Sequence, residues 1–200
     1  MMVRASVPRL RVLLLVILCV ATAGCSRRSG LMESGTKGGS LPVPPPDKAV
    51  VVFLRPAYTG HTISAAVYED ETFLGIVMRH ARLTHETTPG KHRFMVVSEA
   101  ADFLDADLDG GKLYFVVVRP RMGVWRARFS LEPVTPSSAN WAHLNDWLDE
   151  TYPVSLNVEG TAWAQNNAGS VTAKREKYLR AYLQKASRPA LLPADGVPSL

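Results

Sequence analysis

Short apolar runs alternate with turn residues between positions 48 and 132 of this chain. Leu104, Ala106 and Leu108 are separated by two aspartates, and this period of two is typical of a half-buried strand. Turn signals such as Gly110 and Gly111 separate the runs. The pattern predicts about eight strands at roughly ten-residue spacing, over residues 49–54, 62–68, 72–78, 82–87, 92–97, 104–108, 112–118 and 123–131.

The pattern becomes helical after Pro136. Ser138 is placed to cap a first helix, and Trp163 marks a second short helical piece. Residues 172–186 are the clearest helix, because their apolar side chains recur at steps of three and four residues: Tyr178, Leu179, Tyr182, Leu183 and Ala186. We therefore predict a mainly β fold, an antiparallel β-sandwich of the immunoglobulin- or transthyretin-like kind, followed by two or three C-terminal α-helices.

This pattern divides the chain into consecutive regions. The β-sandwich is expected over residues 48–135 and a helical extension over residues 136–188. Residues 189–200 are rich in proline and are predicted to form a disordered tail. Residues 25–47 contain glycines, serines and a proline run, so we expect a linker there. As a random coil, such a linker would span about 25 Å on average.

The N-terminus has the three parts of a secretory signal. Three arginines precede an apolar stretch over residues 12–20, and small residues follow it up to Cys25. The stretch is shorter than the about 20 apolar residues that cross a bilayer. A cysteine after small residues resembles the lipobox of bacterial lipoproteins. Thr22 departs from the leucine usual at that position, so ordinary secretion after cleavage nearby is the alternative.

The lipobox resemblance implies a location and a covalent modification. Residues 1–24 would be a cleaved signal peptide, and Cys25 would carry the acyl and diacylglyceryl lipids of a membrane anchor. The protein would then lie in the bacterial cell envelope. Ser26 stands where an aspartate commonly retains such proteins on the inner membrane, so the expected site is the outer membrane facing the periplasm. The lipid is the only cofactor expected.

Removal of the signal changes the composition. The mature chain would have 176 residues, and the loss of three arginines lowers the formal net charge of +5 to +2. A charge this small does not indicate a nucleic-acid partner. Cys19 would be removed with the signal and Cys25 would be acylated, so the mature chain would form no disulfide. Its stability must therefore come from an apolar core.

Several motifs of the β region resemble one family. They are an opening strand that ends in Arg55-Pro56, a third strand containing Gly75, the turn over residues 89–92, and a late strand that starts at Gly111. These features resemble DUF2846, a bacterial envelope family of unknown function, over about residues 48–132. The resemblance implies an all-β sandwich in a lipoprotein. It implies no activity and no catalytic residues.

Pro89, Gly90 and His92 are predicted to form a structural turn. Proline fixes its own φ, and glycine adopts the positive φ of a type II turn at no steric cost. His92 would start the next strand, with its ring bonded to the turn backbone. The same motif also occurs in other small surface sandwiches, including PEGA-like modules.

The titratable residues do not predict a metal or catalytic site. His80, His85 and His92 have Glu86 as their only nearby carboxylate, and Glu86 would point away from His85 on a strand. The aspartates at 102, 105, 107 and 109 lack the spacing and the final glutamate of a calcium loop. The sequence contains none of the common nucleophile, zinc or phosphate-loop motifs. We therefore predict a protein that is not an enzyme.

The C-terminal region supplies the candidate interaction surface. A basic amphipathic helix can lie on an anionic membrane, or it can pack its tyrosines and leucines on the domain beside the acidic residues 146–150. Packing is the favoured interpretation. The tryptophans would belong to the same docking surface, or would line a sugar-binding shelf. The surface comprises Trp141, Trp147, Trp163, Lys174, Arg175, Lys177 and Arg180.

These features predict a lipid-anchored envelope protein. The first hypothesis is a non-enzymatic binding or scaffolding module that contacts an envelope protein or the cell wall. The second is a carbohydrate- or peptidoglycan-binding accessory lipoprotein that uses its tryptophans. An envelope enzyme is the weakest of the three alternatives.

Overall fold

A computed structural model describes residues 30–56, 63–121 and 128–200. The signal region, Cys25 and part of the predicted strand 123–131 lie outside the described residues. The described strands are β1 Met32–Ser34, β2 Ala49–Arg55, β3 Ala65–Glu69, β4 Thr72–Val77, β5 Ala81–Thr87, β6 Gly90–Val97, β7 Ala101–Leu108, β8 Lys112–Arg121, β9 Arg128–Val134, β10 Tyr152–Leu156 and β11 Ala190–Leu191. The α-helices are α1 Leu144–Glu150 and α2 Val158–Leu183.

The strands form two sheets that face each other. Sheet A has the order β1-β10-β5-β2-β8-β9, and sheet B has the order β11-β7-β6-β3-β4. The prediction of a mainly β fold is confirmed, but the prediction of an antiparallel, immunoglobulin-like sandwich is wrong. β2 pairs with β8 in parallel, as do β10 with β5 and β11 with β7. Parallel neighbours need a long crossover, and strands of sheet B supply it between β2 and β8.

The main core lies between the two sheets. Phe53 of β2 meets Phe94 of β6 edge to face, with ring centroids 5.2 Å apart. Val51 belongs to the same core, whereas Val50 and Val52 face the other side of sheet A. β2 is therefore buried on both faces, and this is why its sequence is an unbroken apolar run instead of an alternating one.

Short elements pack on the outer face of sheet A. A 3₁₀ helix, Ala139–His143, leads directly into α1. Leu144 is buried against Val50, Val52 and Phe115, and Trp141 contacts Phe115 edge to face at 6.1 Å. Ser138 precedes the 3₁₀ helix as predicted, although its hydroxyl bonds Thr135 and does not cap the helix.

One long helix packs on the outer face of sheet B. Asn157 caps α2 by accepting a hydrogen bond from the Gly160 N–H at 2.8 Å. Tyr182 contacts Phe103 at 5.3 Å, and Trp163 contacts Phe73 at 5.6 Å. The prediction of a short helical piece at Trp163, separate from a helix over residues 172–186, is wrong because one helix covers both. The first half of α2 contains glycines and asparagines of weak helix propensity, and tertiary contacts offset that weakness.

Residues 30–47, here called the N-terminal segment, are bound to the domain. β1 pairs with β10, and the Met32 side chain is buried and accepts a hydrogen bond from the Ile76 N–H at 3.3 Å. Farther along, the Gly35 N–H donates to the Pro153 carbonyl at 2.9 Å. The prediction of a free linker over residues 25–47 is therefore wrong from residue 30 onward, because Met32 provides an apolar anchor that the glycine-rich composition conceals.

Residues 189–200, here called the C-terminal segment, also pack on the domain. β11 joins the edge of sheet B, and Leu191 is 0 % exposed. Val197 exchanges two backbone hydrogen bonds with Leu113, at 2.7 and 3.0 Å. The predicted disordered tail is thus ordered, because one buried leucine and backbone pairing outweigh the proline-rich composition.

Candidate functional site

The predicted turn precedes a cluster of charged side chains. Gly90 has a φ of 121°, a conformation that favours glycine, and it begins β6. His92 Nε2 lies 2.8 Å from the Thr88 carbonyl oxygen, so its ring bonds the turn backbone as predicted. Pro89 is exposed. These three residues form a structural turn that also orients the imidazole ring of His92.

His85, Glu69 and His92 form what we call the histidine–glutamate cluster. Glu69 Oε2 lies 2.7 Å from His85 Nε2, and Glu69 Oε1 lies 2.5 Å from His92 Nδ1. The Thr87 hydroxyl donates to Glu69 Oε1 at 2.9 Å. His92 stacks on the Phe94 ring at 6.3 Å, and His85 meets the same ring edge to face at 6.4 Å. The cluster is therefore a polar layer that joins both sheets beside the phenylalanine core.

The electrostatics of this cluster favour an ionised glutamate. Burial alone would raise the pKa of Glu69. Hydrogen bonds from His85 and Thr87, together with the nearby charges of His85 and His92, outweigh burial and hold the pKa of Glu69 below its usual value. Both ring nitrogens of His92 lie within hydrogen-bond distance of an oxygen, one of Glu69 and one of the Thr88 carbonyl.

The arrangement suits structural pairing better than catalysis. A nucleophilic hydroxyl needs a basic partner that removes its proton, commonly a histidine nitrogen. The Thr87 hydroxyl instead donates to the carboxylate, whose oxygens also bind the two rings. Within the described ranges, no group of three or more histidine, cysteine, aspartate or glutamate side chains is arranged to hold a metal ion.

Glu69 was not among the predicted site residues. Its residue type and its neighbours, Asp70 and Glu71, suggested a solvent-exposed turn. In the structure it is the last residue of β3 and pairs with Phe94 of β6, so its side chain points into the space between the sheets. Only the packing of sheet B on sheet A brings it to His85 of β5, because the two residues lie 16 positions apart in the chain.

Two aspartates of β7 and Asp109 after it form separate ion pairs. Asp105 pairs with Arg93 at 2.7 Å and with Arg188 at 3.1 Å, while Asp102 pairs with Lys185 at 3.4 Å. Asp109 pairs with Lys112 at 2.8 Å. These three carboxylates thus pair with different cations, and the described residues do not gather them into a calcium loop.

The three tryptophans of the predicted docking surface, Trp141, Trp147 and Trp163, do not lie on one face of the protein. Trp141 and Trp147 pack with the core on the outer face of sheet A, whereas Trp163 packs on the outer face of sheet B. Trp147 stacks on His143 at 5.7 Å. All three side chains are partly buried. The expectation of one docking surface or one sugar-binding shelf built from all three is therefore wrong, since the whole sandwich separates them.

The basic residues of α2 divide into bound and exposed groups. Lys174 Nζ donates to the Ser98 carbonyl at 2.6 Å, and Arg175 pairs with Glu71 at 3.2 Å. Lys177 and Arg180 are exposed. The helix packs on the domain as favoured, but residues 146–150 are not its neighbours, because they lie on the opposite outer face in α1.

A cavity of about 430 Å³ lies at the C-terminal end of α2; we call it the tyrosine cavity. Its lining combines residues of α2, β7 and β9, among them Tyr178, Tyr182, Lys185, Asp102, Phe129, Arg128 and Glu132. Burial, with the charge of Asp105, raises the pKa of Tyr182 to about 12, so this phenol is neutral at physiological pH. Among the described strands, β9 pairs only with β8, so it is an edge strand of sheet A beside the cavity.

Buried Arg55 has a structural environment. Its Nη1 donates to the carbonyls of Ile63 and Val77, at 2.6 and 3.1 Å, and the guanidinium lies 4.6 Å from the centre of the Phe129 ring. Burial lowers the pKa of Arg55 to about 10, which still leaves it charged at neutral pH. This arginine connects β2 to β4 and β9 across the core.

Comparison with known proteins identified no relative of this chain. No family model matches the chain. No curated protein and no solved structure matches it significantly. The resemblance of residues 48–132 to DUF2846 therefore stays a prediction. Neither helix of the described residues is both long enough and apolar enough to cross a bilayer.

Proposed function

We propose that this chain is a lipid-anchored, non-enzymatic binding protein of the bacterial cell envelope. The order of basic, apolar and small residues before Cys25 supports the anchor. The expected location is the outer membrane, facing the periplasm. The partner is another envelope protein, and the tyrosine cavity is the site where it binds.

The lining of the tyrosine cavity carries this proposal. Tyrosine and arginine are the residues that most often dominate the binding energy of protein interfaces. Here Tyr178, Tyr182 and Arg128 lie together with the acidic Asp102 and Glu132. The edge of β9 runs along the same cavity, so an extended peptide segment could add both backbone pairing and side-chain contacts.

Site-directed variants combined with crosslinking test the proposed surface. Tyr178 is partly exposed and Lys185 is exposed, so Tyr178→Ala and Lys185→Glu should spare the fold. We expect both variants to reduce crosslinking to one envelope protein at least tenfold in membranes of the host. Lys91→Glu, an exposed change in β6 away from this cavity, is the matched control and should leave crosslinking unchanged.

Two results would contradict the proposal. One is a crosslinked partner that survives both cavity variants. The other is binding of the purified domain to peptidoglycan with the same affinity in wild type and variants, which would favour a cell-wall ligand at another surface. The anchor is tested separately by mass spectrometry of the protein from host membranes, where wild type should carry acyl mass on Cys25 and Cys25→Ser should not.

A further inference from the structure

The first described residues bind directly to the start of α2. The Asn157 amide donates to the Gly30 carbonyl at 3.0 Å, while the same side chain caps the helix through Gly160. The Leu31 carbonyl oxygen occupies the space that a Cβ on Gly160 would need. Glycine at this position therefore lets the chain cross the first turn of α2 in close contact.

The following residues, β1, fix the N-terminal segment to both sheets. β1 pairs residue by residue with β10, from Met32 opposite Leu156 to Ser34 opposite Val154. Met32 is 5 % exposed and lies against Gly75 of β4. The chain is thus bound to the domain from Gly30 onward, at the end of the molecule where α2 begins.

The distance from the anchor to this point is short. Gly30 is five residues after Cys25, so a fully extended chain spans at most about 17–18 Å between them. α2 has 26 residues and is therefore about 39 Å long. A tether much shorter than the helix restricts which surface of the domain can reach the lipid.

We propose that the N-terminal end of α2 and the adjoining edge of β1 form a membrane-facing surface, and that the C-terminal end of α2 points away from the bilayer. This inference rests on the anchor of the proposed function. Its partner is the lipid headgroup layer. Val158, the first residue of α2, is 80 % exposed and suits such a contact.

This orientation assigns a direction to the tyrosine cavity. Tyr178, Tyr182 and Lys185 lie near the C-terminal end of α2, about 30 Å or more along the helix axis from Val158. The cavity would then open toward the periplasm, where an envelope partner can approach it. The exposed Lys177 and Arg180 would likewise lie away from the headgroups.

Fluorescence quenching in vesicles tests the orientation. The acylated protein, purified from host membranes, is reconstituted in vesicles of phosphatidylethanolamine and phosphatidylglycerol that contain a headgroup-labelled nitroxide lipid. Acylation of Cys25 leaves no other thiol, so Glu159→Cys and Gln184→Cys each provide one labelling site at exposed positions near the two ends of α2. We expect the label at 159 to be quenched at least threefold more than the label at 184.

A tether variant is the matched control. Inserting 20 glycine and serine residues between Ser29 and Gly30 gives a flexible reach of about 25–30 Å and should remove most of the difference. Equal quenching at 159 and 184 without the insertion would overturn the orientation, as would stronger quenching at 184. A difference that survives the insertion would support the orientation but overturn the short tether as its cause. A mass spectrum of each sample separates these results from failure of the anchor, because a chain without acyl mass would overturn both proposals at once.

Discussion

The two outer faces of the sandwich are packed in different ways. A single continuous helix, α2, packs on the outer face of sheet B. The outer face of sheet A is packed by pieces from three parts of the chain: Leu41, the residues 141–148 and Val197. Both faces bury large apolar side chains, so the difference lies in chain connectivity and not in hydrophobicity.

The separate pieces on the outer face of sheet A, here called the divided layer, are joined by a buried arginine. Arg82 of β5 donates to the carbonyls of Leu148 and Thr151, at 3.1 and 2.8 Å, and also to those of Gly38 and Gly39. It thereby ties the end of α1 to the N-terminal segment. Burial lowers the pKa of Arg82, while Asp149 opposes that shift. The continuous helix α2 instead has separate polar links along its length, among them Lys174 to the Ser98 carbonyl and Arg175 to Glu71.

The largest expected effect comes from removing the main contact of α2. Tyr182 is 2 % exposed and packs on Phe103, so Tyr182→Ala should lower the free energy of unfolding by about 3–5 kcal/mol. Chemical denaturation measures this loss. Tyr182→Phe keeps the ring and loses the hydroxyl, which bonds the Pro189 carbonyl and Asp105, so it should cost about 1 kcal/mol. Equal losses for the two variants would contradict the packing role.

Truncation after Arg188 should lower the free energy of unfolding by removing contacts from both sheets. It removes Leu191 from the edge of sheet B and Val197 from the outer face of sheet A. Burial of these two side chains predicts a loss of about 3 kcal/mol, measured by chemical denaturation. Deletion of Pro198–Leu200 alone is the control and should have little effect, because these residues are exposed. If the longer truncation were as stable as wild type, the C-terminal segment would be a disordered tail after all.

Leu144→Ala should affect the divided layer alone. Leu144 is 2 % exposed, and its truncation should cost about 2–3 kcal/mol. Hydrogen exchange should become faster in α1 and in the N-terminal segment, while exchange in α2 stays unchanged. Leu148→Ala, at a partly buried site in the same helix, is the milder comparison. Faster exchange throughout α2 would show that the two faces are not independent.

Glu69→Gln should have the smallest effect, and a pH dependence should identify it. The folded-state pKa of Glu69 is lowered, so its stabilisation is present above the usual value of 4.5 and is lost as pH falls through the folded pKa. We expect Glu69→Gln to be about 1–2 kcal/mol less stable than wild type at pH 7 and the difference to be smaller at pH 3. Glu86→Gln, exposed on β5, is the control. A constant difference between pH 7 and pH 3 would exclude the carboxylate as its cause.

The local pattern of residues predicted an element correctly where its determinants lie within one strand or one turn. The predicted strands 49–54 and 112–118 match β2 and β8 closely, because runs of valine and phenylalanine are buried in almost any sandwich. The bond between His92 and the turn backbone was also predictable, since its partner is only four residues away. The stripe of tyrosines and leucines likewise located the second half of α2.

Composition gave the wrong prediction for the two terminal segments, where a few buried residues determine whether the chain is ordered. The N-terminal and C-terminal segments are rich in glycine and proline, yet Met32 and Leu191 anchor them to the sheets. β10, with its proline, was not predicted, and it forms only because β1 and β5 lie on either side of it. Short strands of this kind have little stability alone and depend on their neighbours.

Residue order alone determined the class and the order of the strands from β2 to β8, because side-chain period and turn chemistry act over a few residues. It also contains the whole basis for the proposed anchor at Cys25. Only the tertiary structure decided that β2 and β8 are parallel, that Glu69 joins two histidines, and that the tryptophans lie on opposite faces. Each of these depends on pairing between segments far apart in the chain, where strand order and register determine which side chains meet.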